Sequence, residues 1–580
     1  LAVGYPDSTG YYSLDISPGF YLLNWSHNGH IPQELGNFAF SSDTVLADIN
    51  LLSGYVQEVC GEVSGVWTSG SVYDVLCDIE VPEGDSLTIE SGVRVRFMEG
   101  VSMTCYGVLD VLGDSTNRVL FTSREASPLP GDWGNVSLYT EGNTISHLDY
   151  EFATDGFTGD NVSNTTIDNV VMVGNLSLSA NGIYLTSSSD LIITNNTISV
   201  GGEYGIHSYD SDNSVVNNNT ITGQYNTTIR MRDCDYCDFE GNTLSGEIVL
   251  QLAYSDNLDI HNNQVLDHSR GFYLSHCDSA QITLNEMIKP TSSMFGNYLY
   301  WLIDNRYSSS ALIQDNVFSL EDGNMQDNYS WEGNGLIVTH QSEIIGNTYI
   351  MNTDYYNNNS GYGIFIYANE SVVSDNTYSL VSRGSYYTGF ITTQGTEDNR
   401  SVVENNTISV STRLPNQNWD EEGYINLNGY TDFTNNAIDI DIDDGYDSGT
   451  DGIICSKGED NTISDNSIIN SQYSSVVYFK YATNQVFTNN QIHSTRGPSV
   501  IRTSNSDVLI SYNLIESQGR GIEMYNQSGG EVSNNTIISP NSADYGIHIS
   551  NLTMPVVQNN IIEGFANGIY AENDLKNQFI

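Results

Sequence analysis

A run of acidic residues in the C-terminal part of the chain has the residue types and spacing to bind a cation. It reads Asp439-Ile440-Asp441-Ile442-Asp443-Asp444-Gly445-Tyr446-Asp447. Alternate residues of a strand point to opposite sides, so the two isoleucines would face a core and the carboxylates would face solvent. Carboxylate oxygens are ligands that Ca²⁺ prefers. We predict a calcium site at Asp439, Asp441, Asp443 and Asp447; the alternative is a solvated acidic strand, since the spacing does not match an EF-hand loop.

The seven cysteines are the next residues with metal or redox chemistry. Cys60 and Cys77 flank a segment, residues 61–76, that reads as a hairpin-like excursion, so we predict a disulfide between them. Cys234-Asp-Tyr-Cys237 has the spacing of a redox or zinc motif, but no second such pair and no His pair follows it. Because the number of cysteines is odd, at least one is unpaired.

Asn-Xaa-Ser/Thr triplets, the acceptor sequence for N-linked glycans, recur along the chain. Four of them begin at Asn195, Asn218, Asn405 and Asn534, inside the repeat described below. Chance matches are the alternative to glycosylation, because the chain is rich in Asn, Ser and Thr. Outside the repeat phrase, we predict glycans on several of Asn24, Asn135, Asn161, Asn164, Asn175, Asn226, Asn328, Asn358, Asn369, Asn399, Asn526 and Asn551.

The charge balance excludes several classes of partner. The chain carries 72 Asp+Glu against 18 Lys+Arg, for a formal net charge of −54. Such a field repels nucleic acids and anionic membranes, and no apolar run is long enough to span a bilayer. We therefore expect a protein at the surface of a bacterium or archaeon, or outside the cell. The chain starts at Leu1, from which we expect a processed or partial N terminus.

A short sequence phrase recurs along the chain, and the structural repeat that it predicts must position the residues described above. Two polar residues, the second usually Asn, are followed by a small or polar residue and then an aliphatic or aromatic one, as in Asn195-Asn196-Thr197-Ile198. The second residue forms a series with steps of 21 to 31 residues. Its members are Asn169, Asn196, Asn219, Asn242, Asn263, Asn285, Asn316, Asn347, Asn376, Asn406, Asn436, Asn466, Asn490, Asn513, Asn535 and Asn560.

Short coils that turn sharply at one corner explain this series. One residue of such a turn adopts the left-handed conformation, which Asn tolerates better than most residues. Stacked coils would place the Asn side chains above one another, so that their amides bond along the stack. Alternation then directs Val215, Ile221, Ile260, Val265 and Ile282 into a core. At about 4.8 Å per coil the series is roughly 70 Å long, and helices are almost excluded.

These residues resemble the right-handed parallel β-helix repeat family, the NosD-like surface proteins, over about residues 140–580. Residues 55–139 resemble the entry and capping segment found before such helices, from Gly61-Glu62-Val63 to Gly131-Asp132-Trp133-Gly134. Residues 1–54, with Pro18-Gly19-Phe20-Tyr21, resemble part of a carboxypeptidase regulatory-like β-sandwich. The predicted fold is therefore all-β, a right-handed parallel β-helix preceded by a small β-sandwich.

Parallel β-helices often carry sugar-cleaving sites, which need paired carboxylates or calcium-bound Asp with a basic group. Asn352-Thr353-Asp354 resembles one galacturonase motif, but the paired Asp, the Gly-His-Gly and the Arg-Xaa-Lys that accompany it do not follow. The histidines lie in unrelated sequence contexts. We assign no catalytic residue and keep a polysaccharide-active lyase, hydrolase or epimerase as the alternative.

The expected function is that of a non-catalytic structural or adhesive surface protein, with glycans or polysaccharides as partners and calcium as the one cofactor suggested. The sandwich lacks a first strand, and the last visible coil has no evident cap in the sequence. Two incomplete ends favour head-to-tail contacts that build a glycosylated filament. They fit equally well a fragment of a longer surface protein.

The prediction of N-linked glycans at the Asn-Xaa-Ser/Thr triplets can be tested directly. The protein from its native source should have an intact mass above the 63.9 kDa of the bare polypeptide, and glycosidase treatment should lower it. An intact mass equal to that of the polypeptide contradicts the prediction.

Overall fold

The computed structural model describes residues 14–17, 19–25, 33–40, 56–173, 181–199, 202–222, 226–290, 298–299, 301–321, 324–325, 337–353, 362–382, 387–412, 423–442, 452–471, 475–551 and 553–572. From residue 56 onward these residues form one stack of coils. Each coil contributes strands to three faces, and every strand pairs in parallel with the equivalent strand one coil away. This architecture confirms the predicted all-β solenoid.

The first face consists of the shortest strands. In the described residues it holds twenty of them, so at about 4.8 Å per coil the stack is about 90 Å long. They are Gly65–Trp67, Ser86–Glu90, Val108–Leu112, Thr144–Ser146, Thr166–Asp168, Ile192–Thr194, Val215–Asn217, Asp238–Glu240, Asp259–His261, Gln281–Thr283, Leu312–Gln314, Glu343–Ile345, Val372–Ser374, Ser401–Glu404, Thr431–Thr434, Thr462–Ser464, Gln485–Thr488, Asp507–Ser511, Gly529–Ser533 and Val556–Gln558.

The second face follows the Asn turn in each coil. Its strands are Arg94–Phe97, Val119–Ser123, Leu148–Tyr150, Val171–Val173, Thr197–Ser199, Thr220–Thr222, Glu286–Lys289, Val317–Glu321, Thr348–Thr353, Thr377–Ser382, Thr407–Thr412, Ala437–Ile442, Ser467–Asn470, Gln491–Ser494 and Leu514–Ser517. Six longer strands run through the next corner and belong to both the second and third faces. They are Val56–Glu62, Val72–Val81, Thr243–Ala253, Gln264–Ser275, Thr536–Ile549 and Ile561–Ala571.

The third face completes the coil. Its strands are Met103–Cys105, Val136–Leu138, Phe157–Asp160, Ile183–Thr186, Tyr204–Tyr209, Thr227–Arg232, Trp301–Asn305, Ile337–His340, Tyr362–Asn369, Tyr387–Gln394, Ile425–Leu427, Gly452–Glu459, Ser475–Thr483, Ser499–Ser504 and Arg520–Tyr525. Tyr298–Leu299 and Asn324–Met325 form a separate two-stranded pair. The described residues contain no helix.

The core is a continuous apolar column inside the three faces. On the first face the three-residue strands contribute their middle side chain, such as Ile193, Val216 and Phe239, each fully buried or nearly so. Our assignment of Val215 to the core is wrong by one position, because Val215 is only half-buried and Val216 points inward. The first coils are wider and are filled by stacked rings, with Phe97 and Trp133 4.1 Å apart at their centroids.

Buried Asn side chains form an unbroken hydrogen-bonded column at the corner between the first and second faces. In each step one Asn donates its backbone N–H and its Nδ2 to the Oδ1 of the Asn one coil later. Between Asn242 and Asn263 these distances are 3.0 and 2.9 Å, and Asn263 repeats the pattern to Asn285 at 3.0 and 3.0 Å. Nδ2 also donates to a backbone carbonyl of the preceding coil, as Asn263 does to Phe239 at 2.7 Å.

The column runs through fifteen residues from Asn196 to Asn560. Its members are Asn196, Asn219, Asn242, Asn263, Asn285, Asn316, Asn347, Asn376, Asn406, Asn436, Asn466, Asn490, Asn513, Asn535 and Asn560. Asn169 is not a member. The residue at that position in the stack is Val170, whose N–H donates to Asn196 Oδ1 at 2.8 Å.

The left-handed residue of the turn is the one before each column member. Asn195, Asn218 and Asn262 have φ values of 56°, 57° and 55°. Asn169 has a φ of 55° and occupies this preceding position, which explains why it looked like a column member in the sequence. Asn therefore serves two functions in one turn, tolerating a positive φ at the first position and bonding along the stack at the second.

A second polar column, which the sequence analysis missed, lies at the corner between the third and first faces. Here a serine hydroxyl accepts the backbone N–H of the preceding coil, as Ser255 does from Cys234 at 3.0 Å and Ser308 from Cys277 at 2.8 Å. The serines that accept in this way are Ser188, Ser255 and Ser308, four residues before a first-face strand, and Ser214, Ser342, Ser371, Ser506 and Ser528, directly before one. Cys234 is joined to Cys237 by a disulfide across this corner.

The N-terminal coils contain the other disulfide. Cys60 and Cys77 are bonded, and they link the strands Val56–Glu62 and Val72–Val81. Residues 56–139, the predicted entry segment, already form coils of the same three faces. Of residues 1–54, the structure describes an antiparallel pair, Gly19–Trp25 with Gln33–Phe40. The remainder of the predicted sandwich lies outside the described residues and stays a prediction.

Replacing Asn263 with Ala tests the Asn column. The substitution removes the Oδ1 that accepts two hydrogen bonds from Asn242 and the Nδ2 that donates to Phe239 and Asn285. Because Asn263 is buried, the former partners on Asn242, Phe239 and Asn285 cannot bond water instead. We therefore expect the free energy of unfolding to fall by about 1–3 kcal/mol. Urea unfolding measures it. Gln264→Ala, at the exposed neighbour, is the matched control and should change stability by less than about 0.5 kcal/mol; equal effects of the two substitutions would contradict the prediction.

Candidate functional site

Five coils near the C-terminal end of the described chain carry a column of third-face side chains at the positions that alternate with the core, although Tyr478 and His548 are themselves buried, at 5% and 9% exposure. Parallel register places each of them directly against the next, in the order Tyr478, Arg502, Glu523, His548 and Tyr570. The residues on either side of them point into the core. With coils about 4.8 Å apart, this column is about 19 Å long.

Arg502 joins the first part of the column to a neighbouring tyrosine. Its guanidinium carbon lies 5.0 Å from the ring centre of Tyr478 and 5.3 Å from that of Tyr525. It also donates a 2.9 Å hydrogen bond to the Tyr525 hydroxyl, which is 2.8 Å from the hydroxyl of Tyr478. The cation is therefore held between two aromatic rings whose hydroxyls bond each other, an arrangement stabilised by cation–π attraction.

Glu523 is the acidic centre of the column, with a side chain that is 14% exposed. Arg520 forms a direct ion pair with it, and Arg502 Nε lies 3.7 Å from its other oxygen. The Ser499 hydroxyl donates to it at 3.2 Å, and His548 Nδ1 lies 3.4 Å away. Two guanidinium groups therefore share one carboxylate, which leaves this part of a strongly acidic protein locally cationic.

The last two coils add an aromatic stack. The ring of Tyr545 lies 5.0 Å from that of His548 and 4.7 Å from that of Tyr570. Arg520 lies over Tyr545 at 5.5 Å. We call Tyr478, Arg502, Arg520, Glu523, Tyr525, Tyr545, His548 and Tyr570 the Arg–Tyr cluster.

Positive charge is concentrated around this cluster. Lys480, Arg502 and Arg520 each lie over one of its tyrosine rings, although the whole chain has only 18 Lys+Arg. Lys480 lies 5.8 Å from the ring centre of Tyr478. Partial burial, and then the charge of Arg502, lowers the pKa of Lys480. The third face thus has a basic, aromatic patch on a chain of opposite overall charge.

The same face has a second aromatic group farther toward the N terminus. His207 is packed among Tyr184, Tyr204 and Tyr209, with ring centres 4.9, 4.2 and 4.6 Å away. Arg230, one coil later, donates to the Tyr204 hydroxyl at 2.8 Å. Burial, and then the charge of Arg230, lowers the pKa of His207 to about 4. His207 is therefore neutral at pH 7 and contributes a flat, uncharged ring.

The predicted calcium ligands lie on the second face. Asp439 and Asp441 are exposed on Ala437–Ile442, with Ile440 buried between them. Ser471 donates to Asp441 at 3.1 Å. Asp443 and Asp447 lie outside the described residues, so the calcium site remains a prediction. In the galacturonase-like triplet, Asn352 and Thr353 end the strand Thr348–Thr353, and Asp354 is outside the described part.

The predicted glycosylation sites differ in accessibility. Asn161, Asn164, Asn226, Asn399 and Asn551 are exposed, whereas Asn135, Asn369 and Asn526 are half-buried. Asn135 also donates its Nδ2 to Ser137 and Thr158. The side chain of Asn24 is not described, and Asn175, Asn328 and Asn358 lie outside the described residues. The five exposed positions are the ones a transferase could reach without disturbing a strand.

The sequence analysis missed the Arg–Tyr cluster because the residues that stack in its column are separated by 21 to 25 residues. His548 looked isolated, yet it lies between Glu523 and Tyr570 once the coils are stacked. One signal was available. Tyr478, Arg502, Glu523 and His548 each come eleven or twelve residues before the next member of the Asn column, so alignment of the coils on that column would have brought them together.

Replacing Glu523 with Gln tests whether the cluster is held by its carboxylate. The two guanidinium groups are mostly buried and would lose their shared counterion. We expect destabilisation of about 1–3 kcal/mol, measured by urea unfolding. Glu516→Gln is the matched control, because Glu516 forms only an exposed pair with His493 at 3.0 Å, and such pairs contribute about 0–1 kcal/mol. Indistinguishable stabilities of the two variants would contradict this account.

Comparison with solved structures finds distant likenesses. They include PfbA, a surface adhesin of Streptococcus pneumoniae, at 10% identity and TM-score 0.33, covering 63% of this chain and 84% of that one. DFA-IIIase from Arthrobacter chlorophenolicus A6 matches at 11% identity and TM-score 0.26, covering 66% and 87%. The mannuronan C-5 epimerase AlgE6 A-module of Azotobacter vinelandii matches at 13% identity and TM-score 0.22, covering 63% and 88%. Such low values say nothing about what this chain binds or catalyses.

Two family models match parts of the sequence, and no curated protein sequence matches it. Residues 122–324 match a family described as periplasmic copper-binding protein (NosD). Residues 424–580 match the right handed beta helix region. Together with the parallel coils of the structure, these matches identify the chain as one built from right-handed parallel β-helix repeats.

Proposed function

We propose that this protein is a non-catalytic surface protein that binds polysaccharide through the Arg–Tyr cluster. The observation that carries the proposal is the third-face column Tyr478, Arg502, Glu523, His548 and Tyr570, with guanidinium groups packed on tyrosine rings in and beside it. Tyrosine presents an apolar ring with a polar end, which suits the apolar face and the hydroxyls of a sugar. Arginine supplies several donors in a fixed plane.

The geometry favours an extended ligand. The column is straight because its members are in register, and it is about 19 Å long. Its guanidinium groups are already oriented by Glu523, Tyr525 and the rings beneath them. A polar group fixed in advance loses little freedom on binding. The cluster thus offers a preformed linear surface to a chain of sugar units.

Local charge supports the same interpretation. The Arg–Tyr cluster with Lys480 has three fixed cations, against the carboxylate of Glu523 and that of Glu572 at its edge, within a chain of net charge −54. A polyanion as dense as nucleic acid would be repelled by the rest of the surface. A neutral or sparsely charged glycan would be tolerated.

The compartment follows from other observations. Two disulfides, Cys60–Cys77 and Cys234–Cys237, are typical of proteins in an oxidising environment. The description of the family that matches residues 122–324 names a periplasmic protein. Among the described residues, no helix has the length and apolar character needed to cross a membrane. We infer a location outside the cytoplasm, at the surface of a bacterium or archaeon; glycosylation and head-to-tail assembly remain separate predictions.

Copper is named by the description of the same family, so the fit of this chain to copper can be examined. Cu⁺ prefers thiolate and thioether ligands. In the described part of residues 122–324, the sulfur atoms lie in the core or in a disulfide: Met172, Met231, Met287, Cys234, Cys237 and Cys277. These residues do not fit Cu⁺. A divalent ion, which accepts imidazole and carboxylate ligands, would have to use surface His and Asp residues instead.

Glycan binding can be tested with a panel of immobilised polysaccharides. The intact protein should bind at least one member, and Tyr545→Ala should weaken binding about tenfold or more, because tyrosine and arginine side chains dominate such interfaces. Tyr512→Ala is the matched control, since Tyr512 is 64% exposed at another corner of the coil. Retention of full affinity by Tyr545→Ala and Arg502→Ala variants, or the absence of any bound polysaccharide, would contradict the proposal.

One observation favours a second candidate, a polysaccharide-active enzyme. The imidazole of His548 lies between two carboxylates, with Nδ1 3.4 Å from Glu523 and Nε2 4.0 Å from Glu572. A histidine between carboxylates can act as a general acid or base. Incubation with pectin, alginate and related polyuronates decides between the candidates: product formation that is lost in Glu523→Gln would establish the enzyme, and its absence with binding intact would support the non-catalytic protein.

A further inference from the structure

A square of four ionisable side chains lies on the first face, far along the sequence from the Arg–Tyr cluster. Two adjacent strands, Asp238–Glu240 and Asp259–His261, place Asp238 beside Asp259 and Glu240 beside His261. One oxygen of each Asp and one ring nitrogen of His261 all lie within 4.8 Å of one another. The three residues are half-buried. This arrangement is independent of the proposed glycan binding.

The square is not part of a general acidic surface. One coil before it, the equivalent positions are Val215 and Asn217; one coil after it, they are Gln281 and Thr283. Like charges directly opposite each other on neighbouring strands are destabilising. A cation that bridges them would remove this penalty.

One oxygen of Asp238 is already hydrogen-bonded at the edge of the square. The other Asp238 oxygen, one Asp259 oxygen and one His261 nitrogen lie close together on its inner side. Asn217 donates to Asp238 Oδ2 at 2.9 Å. The other oxygen, Asp238 Oδ1, is closed off from solvent and accepts no hydrogen bond from the described residues. It lies 3.9 Å from His261 Nδ1, and Asp259 Oδ1 lies 2.8 Å from the same nitrogen. These three atoms face a common position.

Glu240 completes the arrangement from the far side of the imidazole. Its Oε1 lies 3.3 Å from His261 Nε2. In metal sites, the nitrogen that does not bind the ion usually donates its N–H to a carboxylate, which fixes the orientation of the ring. With Nε2 held in this way, Nδ1 faces the two aspartates; it is hydrogen-bonded to Asp259 Oδ1 at 2.8 Å and would release its proton when an ion binds between them.

We propose that Asp238, Asp259 and His261 bind a divalent transition-metal ion of the zinc class, with Glu240 as the positioning residue for His261. Imidazole nitrogen and carboxylate oxygen are both zinc ligands, with bonds of about 2.0–2.2 Å. Ca²⁺ takes six to eight oxygen ligands, which this site does not offer. The ion would link two neighbouring coils on the first face.

Metal binding can be measured on the chelator-treated full chain with Zn²⁺ by calorimetry and Co²⁺ by visible absorption, with millimolar Ca²⁺ present to occupy acidic surface groups. The wild-type protein should bind one Co²⁺ with a ligand-field spectrum. His261→Gln and Asp259→Asn should abolish that spectrum. Glu240→Gln should keep the spectrum but weaken Zn²⁺ binding about 10- to 100-fold, since removal of a carboxylate behind a metal-bound histidine has that effect.

His493→Gln is the control, because His493 is an exposed histidine with a single carboxylate partner, Glu516. It should bind metal like the wild-type protein. Circular dichroism and thermal unfolding of each variant establish that it is folded. A wild-type protein that produces no Co²⁺ spectrum, or a folded His261→Gln variant that binds as the wild type does, would overturn the proposal.

Discussion

The hydrogen bond from one Asn to the Asn of the next coil is the interaction on which the stacking of this molecule depends. Asn is suited to it because its short side chain carries one acceptor and two donors. In each coil Oδ1 receives the backbone N–H and the Nδ2 of its neighbour, as Asn263 does from Asn242. Aspartate at this position would lack the donor. These bonds are buried. If one coil slipped by one residue, the Asn amides and backbone N–H groups would therefore lose their partners without gaining water as a replacement.

The register that the Asn column imposes also determines the chemistry of the outer faces. Residues one coil apart in sequence are neighbours in space, so a column of outward positions becomes a surface with a fixed repeat of about 4.8 Å. The Arg–Tyr cluster on the third face and the Asp238–His261 square on the first face arise in the same way. Neither needs a loop to position it, and both are therefore rigid.

The sequence predicted the coil architecture and most of the Asn column, because a phrase that returns every 21 to 31 residues is visible without any structure. It misplaced Asn169 and Val215 by one position each. Strand side chains alternate with a period of two, so an error of one residue reverses inside and outside. The Arg–Tyr cluster escaped prediction because coil lengths vary, so the stacked residues Tyr478, Arg502 and Glu523 are not evenly spaced along the sequence. The N-terminal sandwich and half of the calcium ligands concern residues that the structure does not describe.

The largest differences in coil length enter at the corner between the second and third faces. Between the second-face strand Thr220–Thr222 and the third-face strand Thr227–Arg232 there are four residues, whereas fifteen separate Val317–Glu321 from Ile337–His340. In both coils the column Asn still follows the first-face strand by two residues. Residues can therefore be gained or lost at this corner without altering the stacking. This corner borders the third face, so recognition there can diversify while the Asn column stays unchanged.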